Sequence, residues 1–166
     1  MSTHFDAEGN VHMVDVSAKG VTPRVAVASG DVTMDAKTAE SIRSGETRKG
    51  DVLAVARLAA IQATKVTSQL IPLCHGIPVE GAAVTFQWLP QAEESEKAVV
   101  RCQVTVRTTA RTGVEMEAMT AASVACLTIY DMAKSLDRAI VIGPIQLREK
   151  SGGKSGHFLR DPPAAS

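Results

Sequence analysis

The sequence predicts an α+β domain with the element order βαββαβ. This is the order of a ferredoxin-like sandwich, a four-stranded antiparallel sheet with its helices on one face. Three observations predict it. The apolar period changes from helical to alternating after Pro72, two alternating segments follow each other across an acidic loop, and a long apolar helix precedes a last strand. At 166 residues the chain makes one domain, with about 1–10 and 157–166 expected to be flexible.

Residues 1–20 are polar and irregular, although Val11 to Ser17 can lie extended. Arg24 to Ser29 combines Val and Ala and ends at Gly30, which predicts a short strand. Asp35 can cap a helix that runs to Ser44 and stops at Gly45. Gly50-Asp51 opens a longer helix in which Leu53, Leu58, Ile61, Val66 and Leu70 trace no single stripe, so it is buried on several sides. Pro72 ends it. Counted as one split helix, these two supply the first α of the order.

In Ala82–Trp88, Val84, Phe86 and Trp88 alternate with Thr85 and Gln87, the pattern of a half-buried strand. Pro90 to Glu96 is an acidic loop. From Val100 to Val106, Cys102 and Val104 share one face while Arg101, Gln103, Thr105 and Arg107 share the other, so the two strands should pair antiparallel. Gly113 opens a third long helix reaching Ser135. Ile140 to Ile142, an irregularity at Gly143-Pro144, and then Ile145 and Leu147 form the last strand. Ser151 to Gly156 is loop, and Asp161 to Ser166 should fray.

Composition narrows the function classes. Eighteen basic residues balance eighteen acidic ones, so no global field draws the chain to nucleic acid, and any anion site must be a local cluster. Three cysteines without a C-x-x-C pair fit a reducing compartment. The first residues carry no secretory pattern, and the longest uncharged apolar stretch, Ala118 to Tyr130, is too short for a bilayer. A cytoplasmic protein with no membrane or nucleic-acid partner is expected.

Four segments hold candidate chemistry. Gly152-Gly-Lys-Ser155 superficially matches a P-loop, but position 148 is Arg and only eleven residues follow, too few for the required helix. Its glycines still let main-chain N–H groups converge on an anion, with Lys150 and Lys154 adding charge; the alternative is a solvated tail. Leu73-Cys74-His75 lies between a helix end and a strand. Neighbouring side chains diverge, which disfavours a Cys–His dyad, and no metal-ligand spacing accompanies them, so no metal is expected. His75 can bind an anion or move a proton, or be an ordinary loop histidine. Glu115 and Glu117 lie in the first turn of a helix, where acids usually just offset the macrodipole; about 200° apart round the axis, one of them can face inward. Asp131 and Lys134 are three residues apart on an apolar helix with few places for charge. Lys49 and Lys65 look like surface residues taken singly.

Six strings, in order, resemble the MoaC family of cyclic pyranopterin monophosphate synthases in molybdenum cofactor biosynthesis. They are His12-Met-Val-Asp-Val-Ser-Ala-Lys19, Lys49-Gly-Asp51, Leu70-Ile-Pro-Leu-Cys-His75, Thr112-Gly-Val-Glu-Met-Glu-Ala118, Leu127-Thr-Ile-Tyr-Asp-Met132 with Lys134, and Lys150-Ser-Gly-Gly-Lys-Ser-Gly156. The resemblance implies a lyase that converts 3′,8-cyclo-7,8-dihydro-GTP to cyclic pyranopterin monophosphate and releases pyrophosphate. It implies a hexamer, a trimer of dimers, with active sites at subunit interfaces. Asp131, Lys134 and Lys49 match the catalytic positions. Leu73, Cys74, His75, Glu115, Met116, Glu117, Lys65, Lys150, Lys154, Arg24 and Lys19 are the implied substrate contacts. His157 stands where the family usually has Asp. No resident cofactor is expected, with Mg²⁺ accompanying the triphosphate left open.

The residue types suit that chemistry. Rebuilding a purine-derived ring as a pterin needs repeated proton transfers, which Lys serves when its surroundings lower its pKa. Closing a cyclic phosphate while pyrophosphate leaves concentrates negative charge, which needs cationic clamps. A non-catalytic ferredoxin-like nucleotide-binding module and a structural assembly protein are the competing readings, although binding alone would not need Asp131, Lys134 and Lys49 together.

Overall fold

The computed structural model describes residues 4–5, 8–90, 92, 95–154 and 156–160. In chain order the elements are β1 (Thr22–Asp35), α1 (Ala36–Arg43), α2 (Val52–Leu70), β2 (Gly81–Trp88), β3 (Lys97–Ala110), α3 (Glu115–Ala133), β4 (Val141–Ser151) and β5 (Phe158–Leu159). The sheet order is β2-β3-β1-β4-β5 with every neighbouring pair antiparallel. The expected β2–β3 pairing is present, with Val84 opposite Val104 and Phe86 opposite Cys102.

The sheet has five strands where four were expected. Phe158 and Leu159 pair with Lys150 and Glu149, inside a stretch read from sequence as mobile. Two residues carry no periodicity, so no pattern could announce them. The expected fraying of Asp161 to Ser166 falls outside the described residues. Val11 to Ser17 forms no strand; Val11 makes only an isolated bridge to Phe5.

β1 is the larger correction. It runs fourteen residues and passes straight through Gly30, which was read as its end. Gly30 is a close-approach site instead of a turn: an added Cβ would meet Ile145 Cδ1 at 2.6 Å and Cys126 Sγ at 2.7 Å. A glycine there lets α3 and β4 close on the central strand. Asp35 begins α1 as expected but does not cap it with its side chain, which pairs with Lys97 at 2.5 Å. Asp51 does cap α2, accepting from the Ala54 N–H at 2.9 Å. The helix ends at Leu70, with Ile71 extended as a residue before proline prefers.

α2 and α3 pack on each other, and α3 lies across β1, β3 and β4. The helix-facing side of β3 buries Val100, Cys102, Val104 and Val106, while Gln103 and Arg107 face out. With few aromatic residues, the core is made mainly of Ala and Val, which brings backbones close. On the helix-free side Asp31 sits opposite Arg101 and accepts two hydrogen bonds from it, each 2.7 Å.

Candidate active site

α2 and α3 run antiparallel. At one end Lys49, just before α2, meets Asp131 near the end of α3; at the other, Cys74, just after α2, meets Glu117 in the first turn of α3. The rise of 1.5 Å per residue sets Asp131 about 21 Å along α3 from Glu117. The candidate residues therefore form two groups in one chain, one at each end of this helix pair.

At the Cys74 end, with Glu117 behind it, lie two adjoining clefts that share Lys19, Thr112, Gly113 and Glu115. The smaller, about 350 Å³, is walled by Val14, Val16, Leu73, Cys74, His75 and Met116. The larger, about 710 Å³, adds Thr22, Arg24, Arg111, Gly153 and Lys154. Its charge is set by Lys19, Arg24, Arg111 and Lys154, against Glu115 alone. Lys150 does not line it but pairs with Glu115 at 3.1 Å.

Each side chain here has a structural cause. Glu117 is the carboxylate of the first turn that faces inward, 2% exposed, while Glu115 stays at the rim. Cys74 Sγ lies 3.7 Å from Glu117 Oε1, and Glu117 Oε2 is buried with no hydrogen-bond partner among the described residues. Burial raises the Glu117 carboxyl above its ordinary range. Burial, followed by the nearby Glu117, pushes the Cys74 thiol up to about 11, so Cys74 is no thiolate nucleophile. Cys74 and His75 turn to different partners, as their adjacency predicts. His75 Nε2 bonds the Val14 carbonyl at 2.7 Å.

The glycine loop is built around Arg24. Its Nη1 donates to the Gly152 carbonyl at 3.2 Å and its Nη2 to the Arg111 carbonyl at 3.3 Å. Gly152 and Gly153 both have positive φ, and a Cβ on Gly152 would strike the Pro23 carbonyl, one on Gly153 the Arg24 guanidinium. Arg24 Nε and Thr22 Oγ1 are buried without a partner among the described residues, and both residues line the larger cleft.

The second group is exposed. Asp131 Oδ1 accepts from Lys134 Nζ at 2.6 Å, and Lys49 Nζ donates to the Asp131 carbonyl at 2.7 Å and lies 3.4 Å from Oδ2. The Lys134 hydrogen bond and charge, then Lys49, hold the Asp131 carboxyl below its ordinary value, while Asp131 holds Lys134 above its own. That reverses the sequence expectation of surroundings that lower a lysine's pKa: in this chain Lys134 is kept as an ammonium. Lys65 is exposed on α2 and lines neither cleft.

Sequence reasoning missed Thr22 and Arg111, and it gave Val14 and Val16 no role. Arg111 directly precedes the Thr112 motif, and both valines lie inside the first motif; position beside a motif was the available signal.

A family model described as the MoaC family matches residues 13–153. A curated protein of Rhodopirellula baltica named cyclic pyranopterin monophosphate synthase is 58% identical, covering 96% of this chain and 94% of its own length. Proteins of the same name from Desulfitobacterium hafniense and Heliobacterium modesticaldum are 54% and 52% identical, each over 96% of this chain and over 94% and 97% of their own lengths.

Proposed function

The chain belongs to the MoaC family, and we propose that it is a cyclic pyranopterin monophosphate synthase, a lyase of molybdenum cofactor biosynthesis. It converts 3′,8-cyclo-7,8-dihydro-GTP to cyclic pyranopterin monophosphate and releases pyrophosphate. The observation that carries this is the pair of joined clefts, one cationic and one half-apolar, lined largely by residues of the strings that resemble the family, in a chain 58% identical to a synthase of that name over 96% of its length.

In this reading the larger cleft takes the phosphates. Lys19, Arg24, Arg111 and Lys154 neutralise their charge, and the Gly152-Gly153 loop lets the main chain approach. The smaller cleft takes the ring system among Leu73, Cys74, His75 and Met116, with Glu117 behind Cys74. A cationic lining suits phosphate oxygens directly, so no resident cofactor enters the proposal, and any Mg²⁺ travels with the substrate.

Asp131, Lys134 and Lys49 carry proton transfer, with Lys134 as an ammonium donor oriented by Asp131. Because they lie at the far end of α3, they reach the ring system from a second copy of the chain, and Lys65 contributes likewise from its exposed place on α2. Apolar side chains on the same helices support self-association: Leu58 is 69% exposed and Leu127 57%. We take the assembly to be a hexamer built from dimers, with the βαββαβ core, ferredoxin-like in its strand order, as its unit, in the cytoplasm. Among the described residues no helix is long and apolar enough to cross a membrane.

The test is an assay of purified protein with the cyclised substrate, reading pyrophosphate and pterin product. Both products are expected. Binding without product would leave the nucleotide-binding module, and neither binding nor product the assembly protein.

A further inference from the structure

We propose that the main-chain carbonyl of Val14 fixes His75 in its Nε2-protonated tautomer, leaving Nδ1 as the nitrogen that accepts a proton or hydrogen bond from the substrate. The proposal rests on the reading of the smaller cleft as the ring site. A carbonyl oxygen only accepts, so the 2.7 Å contact between His75 Nε2 and Val14 O requires the hydrogen on Nε2. In the neutral ring Nδ1 then holds a lone pair, and the ring lines the smaller cleft.

His75 is the tie at Val14, and the residues after it carry further ties. Asp15, the next residue, accepts from the Ser17 N–H at 2.8 Å and from Ser17 Oγ at 3.0 Å. The Lys19 N–H closes a turn on the Val16 carbonyl at 3.0 Å, and Arg111 Nε donates to the Lys19 carbonyl at 3.2 Å. Residues 14–19 thus form a strap tied to itself and to the cleft wall. Asp15 of the strap acts on His75 by charge, while its two oxygens accept from Ser17 and the His75 Nε2 contact is to the carbonyl. Cys74 is turned toward Glu117 and does not compete for Nδ1. Val14 is therefore a positioning residue, acting through its backbone.

The first test reads the tautomer in the intact ¹⁵N-labelled protein by long-range ¹H–¹⁵N correlation of the neutral His75 ring. A protonated Nε2 and a bare Nδ1 are expected; the opposite assignment overturns the proposal. Two variants then separate the strap bond from the role proposed for Nδ1. His75→Gln keeps an amide near Nε2, so hydrogen exchange of the Val14–Lys19 amides should match wild type while turnover falls about 10²-fold or more. His75→Asn keeps an amide near Nδ1 and loses the strap bond, so those amides should exchange faster. Turnover of His75→Gln within about tenfold of wild type, or unchanged exchange in His75→Asn, contradicts it. A wild-type protein that makes no product from the cyclised substrate would instead count against the proposed function, and the tautomer would still be read.

Discussion

The two ends of the α2–α3 pair carry the same kinds of residue under opposite conditions. At the start of α3 a carboxylate is buried beside a thiol, and that thiol lines a cleft together with the Val14–Lys19 strap. At its end a carboxylate lies open between two lysines, both more than two-fifths exposed. The first arrangement offers concave walls for a small molecule, but no lysine lines the part walled by Leu73, Cys74 and His75 except Lys19 at its edge. The second has proton donors and nothing to enclose a substrate. Each end lacks what the other has. That asymmetry teaches more than either group alone, because it makes a shared site the economical explanation for keeping charged residues on an otherwise apolar helix.

The predictions sharpen this contrast, from the strongest effect down. Lys134→Ala and Asp131→Ala should each lower turnover by about 10²–10⁴-fold while a GTP-like triphosphate still binds, because acid–base groups act on the chemical step. Asp131→Asn should be nearly as damaging despite its equal size, since it removes the charge that orients Lys134. Single-turnover product formation with equilibrium binding checks all three; near wild-type turnover of Lys134→Ala would move the proton-transfer role to Lys49.

At the cleft end the order reverses. Lys154→Ala and Arg24→Ala should weaken triphosphate binding first, by about tenfold or more, with a smaller loss of turnover. Arg24→Ala should be the worse, since it also frees the Gly152 carbonyl from its donor. Titration calorimetry with the triphosphate decides this, and a pure turnover effect would argue against the larger cleft as the phosphate site.

Gly30→Ala tests the fold that joins the two ends. The added methyl must displace Ile145 or Cys126, which should destabilise the chain by about 1–3 kcal/mol, read from denaturant midpoints. An unchanged midpoint would mean that α3 and β4 sit less closely on β1 than described.

The smallest effect is the pH dependence of Glu117. Burial raises its folded-state pKa above the ordinary 4.5, so the folded chain binds this proton more tightly than the unfolded one. Its contribution is therefore intact below about 4.5 and is lost as pH rises through the folded value. Glu117→Gln should raise the melting temperature at neutral pH, with the gain shrinking toward acid pH. A gain that grows toward acid pH would show that Glu117 is stabilised as the charged form.

Much of this was legible because period and caps are local. The alternation of Val84, Phe86 and Trp88 against Cys102 and Val104 located the β2–β3 pair, and Asp51 and Pro72 bounded α2. Gly30 misled because a glycine that ends a strand and one that admits a neighbour look alike in sequence; only Ile145 and Cys126, over ninety residues away, distinguish them. The 200° separation of Glu115 and Glu117 allowed one of them to turn inward, and it is Glu117. The strap was not legible, since its key group is the carbonyl of Val14, which every residue type has. Nor was the split of the site: the motifs name residues, whereas the 21 Å between them is a property of how α2 and α3 run.

The most direct test mixes two inactive proteins. His75→Ala damages the cleft end and Lys134→Ala the exposed end, and subunits of the two are dissociated, combined in equal amounts and reassembled. If one site takes its two ends from two copies, some sites in the mixture receive both intact halves, and about a quarter of wild-type turnover should return. If each chain carries a complete site of its own, the mixture stays as inactive as its components, and the shared-site account is wrong.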